Sequence, residues 1–428
     1  MITHSRVTLK NGTRVVLVPH RDTAAATLLA LYEVGSRYET RAMNGASHFI
    51  EHMMFKGTTR RPNTMAISRD LDAVGADYNA FTYKDMTGYY IRLQAEKLGL
   101  AVDMLEDMLY HSVYRAKDVE SERKVIYEEL RMYDDNPMMV VEERMEEELY
   151  RGSSLGWRIG GTVETMNGIG RDQIAAYRDR HYVPAKTVLA LAGRFERDEA
   201  VAMLERTFGR VPKRGASAPF KPFSAAKDRK GPAVRVESKD TEQVQLAMGW
   251  PAYRYGDPRL SALKVMSIIL GGTMSSRLFM AVREKRWLAY SIHATANPYQ
   301  DVGNVTVQAG LAKDGFDDAM KVIMAELVRI KDKDVTAEEL TRAKEYFKGK
   351  MVLNLEDSSR LADWYARQEL LQGRVETPED RIAKMFAVTK ADVRRAAADV
   401  FRRATAAVAV IGPFKDPAPI TRHLSALR

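Results

Sequence analysis

Cysteine is absent from all 428 residues, which removes disulfides and thiolate metal ligands together. Any bound metal must then be held by imidazole and carboxylate, while the redox compartment stays open. Long apolar runs are missing as well. The longest strongly apolar piece, Ala24 to Tyr32, has the length of a strand, so no membrane span and no membrane partner is expected. The amino terminus lacks the basic-then-apolar segment of a secretory signal, which makes a cytoplasmic location the expectation, or a periplasmic one if a leader has been removed. A one-sided charge distribution is also lacking. The formal charge of +9 comes from basic residues interspersed with acidic ones. The densest cluster, Lys213-Arg214 to Lys227-Asp228-Arg229-Lys230, falls in a Pro/Ala/Ser-rich stretch. That composition reads as a solvated linker rather than a phosphate-binding face, and no nucleic-acid partner is expected. Histidine is scarce, at 8 residues, which gives weight to any place where two stand together.

What is present is an ordinary globular composition, 45% hydrophobic and 29% charged, in a chain long enough for two or three domains. Strands are predicted over Val7–Leu9, Arg14–Pro19 and Ala25–Tyr32, then a helix around His48, a helix to Val74, and paired strands Ala76–Thr82 and Thr87–Gln94. Helices follow over Glu96–His111, Asp118–Tyr133, Pro137–Arg151 and Arg171–Tyr182, with a returning strand Thr187–Ala192 before Gly193. After a Pro-rich stretch the order restarts, from strand Glu242–Trp250 to strand Ala406–Ile411 before Gly412. Two landmarks give nearly one offset: 412 − 193 = 219 for the glycines and 334 − 118 = 216 for the Asp-Val pairs that open helices. The chain therefore reads as an α+β internal duplication of two homologous two-layer sandwich domains, each a mostly antiparallel sheet with helices on one face. Domain boundaries are placed at 1–211 and 233–428, with 212–232 as linker.

The chemistry concentrates in His48-Phe49-Ile50-Glu51-His52. On a helix, at about 100° per residue, His52 lies about 40° from His48 and Glu51 about 60° to the other side. Two imidazoles one turn apart suit Zn²⁺, and a catalytic zinc wants a third protein ligand and an open position for water. The order His-x-x-Glu-His is the inverzincin signature, with the Glu as base. A third ligand is best sought on Val119 to Leu130, because Glu122 and Glu129 are seven apart and so fall within about 20° on one face. Val125 and Ile126 are expected on that same inward face. Spacing alone also allows an acidic, solvent-facing helix here. Adding about 218 to His48 and His52 lands on Met266 and Leu270, so the second half is expected to carry no metal.

The run Gly45-Ala46-Ser47-His48-Phe49-Ile50-Glu51-His52-Met53-Met54-Phe55-Lys56-Gly57-Thr58, followed by Glu122-Arg123-Lys124-Val125-Ile126-Tyr127-Glu128-Glu129, resembles the pitrilysin/insulinase family of zinc peptidases. Within it the chain is most similar to small members related to the mitochondrial processing peptidase β subunit. The resemblance implies His48, His52 and Glu129 as ligands of one Zn²⁺ per chain, Glu51 as general base, and Glu122 as a carboxylate orienting the site. Asn79-Ala80-Phe81-Thr82 resembles the family's edge strand, onto which a peptide substrate adds as a further strand. Ser276-Arg277-Leu278-Phe279 and the segment Arg283 to Tyr290 resemble a part whose Arg283 and Tyr290 would contact substrate, by gripping a carbonyl and donating to the oxyanion. Trp287 departs from the pattern, which usually has Gly there. The implied activity is that of a zinc endopeptidase acting on peptides or unfolded segments. The implied assembly is a homodimer, or a heterodimer with a metal-less relative. The rival is a non-catalytic peptide-binding subunit, against which the intact Glu51 argues.

Overall fold

A computed structural model describes residues 3–215, 220–224 and 231–427. Its strands are β1 (Ser5–Thr8), β2 (Arg14–Pro19), β3 (Ala25–Tyr32), β4 (Asp77–Thr82), β5 (Thr87–Gln94) and β6 (Thr187–Gly193) in the first half. In the second half they are β7 (Ala233–Ser238), β8 (Gln243–Ala252), β9 (Ala289–Pro298), β10 (Gly303–Ala312) and β11 (Ala407–Gly412). The first sheet has the order β1-β2-β6-β3-β5-β4 and the second β7-β11-β8-β10-β9. Only β2 with β6 and β7 with β11 run parallel; every other neighbouring pair is antiparallel. Removing β1 makes the two orders identical, and the strands correspond at the expected offset: 243 − 25 = 218 for β8 and β3, and 233 − 14 = 219 for β7 and β2. The mixed α/β duplication is thus present in the topology itself.

The hydrophobic pattern explains how each sheet is covered. All of β6, and β3 from Ala26 to Tyr32, are buried, and strands buried on both sides need cover on both faces. Ala26, Leu28, Ala30 and Tyr32 join a core with the helix Leu98–His111. Thr27, which alternation directs to the opposite face, bonds through its hydroxyl to Ser358 Oγ at 2.8 Å. The helix Ser358–Gln372 therefore lies on the second face, burying Leu361, Tyr365 and Leu370. Cover on a single face, as read from the sequence, is replaced by cover on both. The second sheet is treated alike: Val140, Val141, Met145 and Leu149 of the helix Pro137–Leu149 pack with Ala247, Ala407, Ala409 and Ile411.

These two helices also decide the compact units, which are 1–130 with 158–221 and 350–378, and 131–157 with 222–349 and 379–428. The linear cut at 212–232 separates the two sheets, while each compact unit includes a helical piece from the other side of that cut. Of the 212–232 stretch, residues 216–219 and 225–230, including Lys227, Asp228, Arg229 and Lys230, lie outside the described residues. Within the first unit Arg37 is buried, pairs with Asp85 at 2.8 Å, and stands 3.6 Å over the Phe220 ring. Among the described residues no helix is long and apolar enough to cross a membrane.

Candidate metal centre

The motif occupies the helix Ala46–Met53, whose inner face buries Phe49, Ile50 and Met53. Its first turn has no side-chain cap of its own, since Gly45 at the N-cap has φ +99. The orphan N–H groups go instead to a distant carboxylate. Glu39 Oε2 accepts from Gly45 N at 2.8 Å and Asn44 Nδ2 at 3.0 Å, and Glu39 Oε1 accepts from Ser47 N at 2.8 Å. An anion at a helix N-terminus satisfies donors and complements the helix dipole together. Burial pushes the Glu39 carboxyl up to about 7, against the pull of those donors.

The second contributor is the helix Ala116–Asp134. Arg123 fixes it to its surroundings, donating to Met166 O and, at 2.9 Å, to Ile169 O, with its guanidinium 5.4 Å from the Phe49 ring centre. Glu122 is buried and Glu129 half-buried, so both face inward as spacing allowed. Val125 does not: it is exposed, while Val119, Arg123, Ile126 and Leu130 complete the buried stripe. From Glu122 those four lie at about +40° to +100° around the helix and Val125 at about −60°, which is the solvent side.

The side chains of the two helices converge. His48 Nε2 and His52 Nε2 are 3.2 Å apart, and Glu129 Oε2 lies 3.6 Å from the first and 3.3 Å from the second. This is the one cluster of three or more potential ligands among the described residues. An ion bound tetrahedrally at about 2.0–2.1 Å holds its donors about 3.3 Å apart, and the triangle has those edges. Tautomers agree with this. His52 Nδ1 meets Glu122 Oε1 at 2.9 Å, which as a donor leaves the Nε2 lone pair directed at His48 and Glu129. The lone pairs of His52 Nε2 and Glu129 Oε2 then face His48 Nε2, and the group needs a proton or a cation at its centre. The residues fit a zinc ion.

Electrostatics in the metal-free protein follow from these contacts. Burial, then the neighbouring His52, push His48 down to about 4. His52 is lowered by burial, but its bonds to Glu122 and Glu129 outweigh that and hold it up at about 9. Burial would raise Glu122, yet His52 and Lys56, whose Nζ reaches Glu122 Oε2, keep it below the usual carboxylate range. Glu51 is raised by burial, opposed by the Thr82 hydroxyl that donates to its Oε2 at 2.5 Å.

Thr82 places β4 beside this centre. β4 is the last strand of its sheet, so its outer edge pairs with no strand among the described residues. Thr82 and Ala80 face the motif helix. Phe81 faces away and covers Gly88, its cross-strand partner, with Arg367 5.3 Å from its ring centre. Asn79 shares that far side by alternation, and its Oδ1 accepts from Ala80 N at 2.8 Å. Arg283 and Tyr290 belong to the second unit, on the π-helical segment Phe279–Glu284 and on β9. There Arg283 Cζ lies 5.7 Å from the Tyr290 ring centre, and Tyr290 is exposed. Met266 and Leu270, the counterparts of the two histidines, are fully buried in the second core. Sequence reading missed Glu39 and Lys56. For Lys56 a signal existed, since it follows His52 by one helical turn.

Comparisons with known proteins cover most of the chain. Residues 14–163 match the family model described as insulinase (peptidase family M16), and 168–347 match the peptidase M16 inactive domain. An uncharacterized zinc protease of Streptomyces coelicolor is 36% identical over 96% of this chain and 90% of its own. One from Bacillus subtilis is 34% identical over 95% of this chain and 98% of its own. Among solved structures, a protease from Helicobacter pylori superposes with a TM-score of 0.90 at 24% identity, over 96% of this chain and 100% of that one. A Pseudomonas fluorescens structure described as a peptidase M16 inactive domain gives 0.89 at 19% identity, over 96% and 98%.

Proposed function

Given that the chain belongs to the insulinase family of peptidases, M16, we propose that it is a zinc-dependent endopeptidase hydrolysing peptides or unfolded polypeptide segments. The observation that carries this reading is the triangle of His48 Nε2, His52 Nε2 and Glu129 Oε2, with edges of 3.2, 3.3 and 3.6 Å, on the helix that also bears Glu51. Zinc held there supplies Lewis-acid polarisation of the scissile carbonyl and acidifies the attacking water.

The remaining work falls to this chain's own groups. Glu51 takes the proton of the water as its oxygen bonds to the carbonyl carbon, then hands it to the nitrogen as the C–N bond breaks. The Thr82 hydroxyl on Oε2 leaves the other carboxylate oxygen for the proton and ties the base to β4. A peptide added along the free edge of β4 by main-chain hydrogen bonds would run beside Glu51. Glu122 fixes the His52 ring and tautomer, and Lys56 offsets its charge. Arg283 and Tyr290 act on the substrate as carbonyl grip and oxyanion donor. The working assembly is a homodimer, in which both copies carry a complete set. A purely peptide-binding role would leave the half-buried, proton-accepting Glu51 without a task.

Glu51→Gln tests the mechanism. Cleavage of a quenched fluorogenic peptide should fall by about 10²–10⁴ while zinc content by atomic absorption stays at the wild-type level. Undiminished cleavage would remove Glu51 from the reaction.

A further inference from the structure

Trp287 is a residue that the fold of its own unit does not explain. It closes the helical turn that carries Arg283, its N–H donating to Arg283 O at 2.9 Å and the next N–H, of Leu288, to Val282 O at 3.0 Å. Its φ is +60, a left-handed conformation that glycine normally fills at a helix C-terminus. For a bulky side chain this is a backbone outlier, of the kind that collects at ligand clamps. Packing gives no reason for it. Trp287 is 86% exposed, and among the described residues neither its ring nor its indole N–H has a partner.

The surroundings define what would cover it. The Arg283 guanidinium has no ion pair among the described residues and lies 4.9 Å from the Phe279 ring centre. Lys285 and Arg286 are exposed in the same turn, opposed there only by Glu284. Tyr290, three residues on, is 72% exposed. An unpaired aromatic surface set among three cations is complementary to an apolar or aromatic side chain beside a carboxylate.

We infer that Trp287 is a specificity-determining residue, selecting peptide segments in which a bulky apolar or aromatic residue neighbours an acidic one. This rests on the reading that the chain engages peptides. The apolar side chain lies on the indole, and the acid is held by Lys285 and Arg286, which are exposed in the same turn, leaving Arg283 to the peptide carbonyl.

The test uses full-length protein carrying Glu51→Gln, so that bound peptides stay intact, and two labelled peptides of equal length with Glu-Phe or Gly-Ser at the centre. Fluorescence anisotropy should show the Glu-Phe peptide binding about three- to tenfold tighter. Adding Trp287→Ala should collapse that ratio to about one, and Trp287→Phe should keep most of it. No preference in the parent, or an unchanged ratio in Trp287→Ala, overturns the inference. Cleavage by protein with Glu51 intact separates the two readings. Preferential binding without hydrolysis of either peptide sinks the peptidase and leaves the selection standing. Equal hydrolysis of both, with no binding preference, does the reverse.

Discussion

Glu39 bears most directly on the geometry of the motif helix without belonging to the motif. Its buried carboxylate takes three donors at the start of that helix, so it sets where His48 and His52 begin. No sequence signal marks it, because a carboxylate capping a helix from nine residues upstream of His48 obeys no helical spacing. For Glu129 the seven-residue separation from Glu122 fixed only a shared face, and it was the resemblance to the zinc peptidases that singled it out as the ligand. Val125 was misplaced because spacing finds a face but not the centre of the buried stripe. Glu39 also carries a pH signature. Its folded-state pKa of about 7 lies above the ordinary 4.5, so folding favours the protonated acid. That contribution is fully present below about 4.5 and is lost as pH rises through about 7, at up to about 1.4 kcal/mol per unit. Denaturant unfolding of metal-free protein at pH 5 and 7.5 should show wild type losing stability relative to Glu39→Gln over that interval. A stability difference between the two that does not change with pH contradicts the assignment.

Elements were more legible than the contacts between them. The strand Ala25–Tyr32 and the helix from Asn63 are where apolar periodicity and turn residues put them, and Asn63 caps its helix by accepting from Ala66 N. β7 was missed because it follows a Pro-rich, basic stretch that obscures alternation. The helix Ser358–Gln372 was missed although its apolar stripe is continuous, and no local signal states which sheet such a helix covers. Its reach to β3 depends on residues far apart in sequence, such as Thr27 and Ser358. The entry to the motif helix makes a prediction at this scale. Gly45 and Gly75 both have positive φ, but a Cβ on Gly45 would meet Gly160 O at 2.8 Å and Met166 Cε at 2.3 Å, whereas Gly75 has nothing within 4 Å. Gly75→Ala should cost about 1 kcal/mol from backbone strain alone. Gly45→Ala should cost at least about 2 kcal/mol more, because backbone must also move. Thermal unfolding of the two variants checks this, and equal losses would show that the loop at Gly160 yields freely.

For the molecule as a whole, one architecture occurs twice and one copy carries the ligands. The shared strand order of the two sheets was readable from two offsets, since a duplication repeats its landmarks even where side chains diverge. The exchange of covering helices between the halves was not readable, because it changes packing partners without changing local pattern. Met266 and Leu270 fill a closed apolar core where the first half has imidazoles, so metal binding should stop at one ion per chain. The most direct measurement is an anomalous difference map at the zinc edge from crystals grown with zinc. The account predicts one strong peak per chain, about 2.0–2.2 Å from His48 Nε2, His52 Nε2 and a Glu129 carboxylate oxygen. A map with no peak there, or with the strongest peak away from these three atoms, would contradict it.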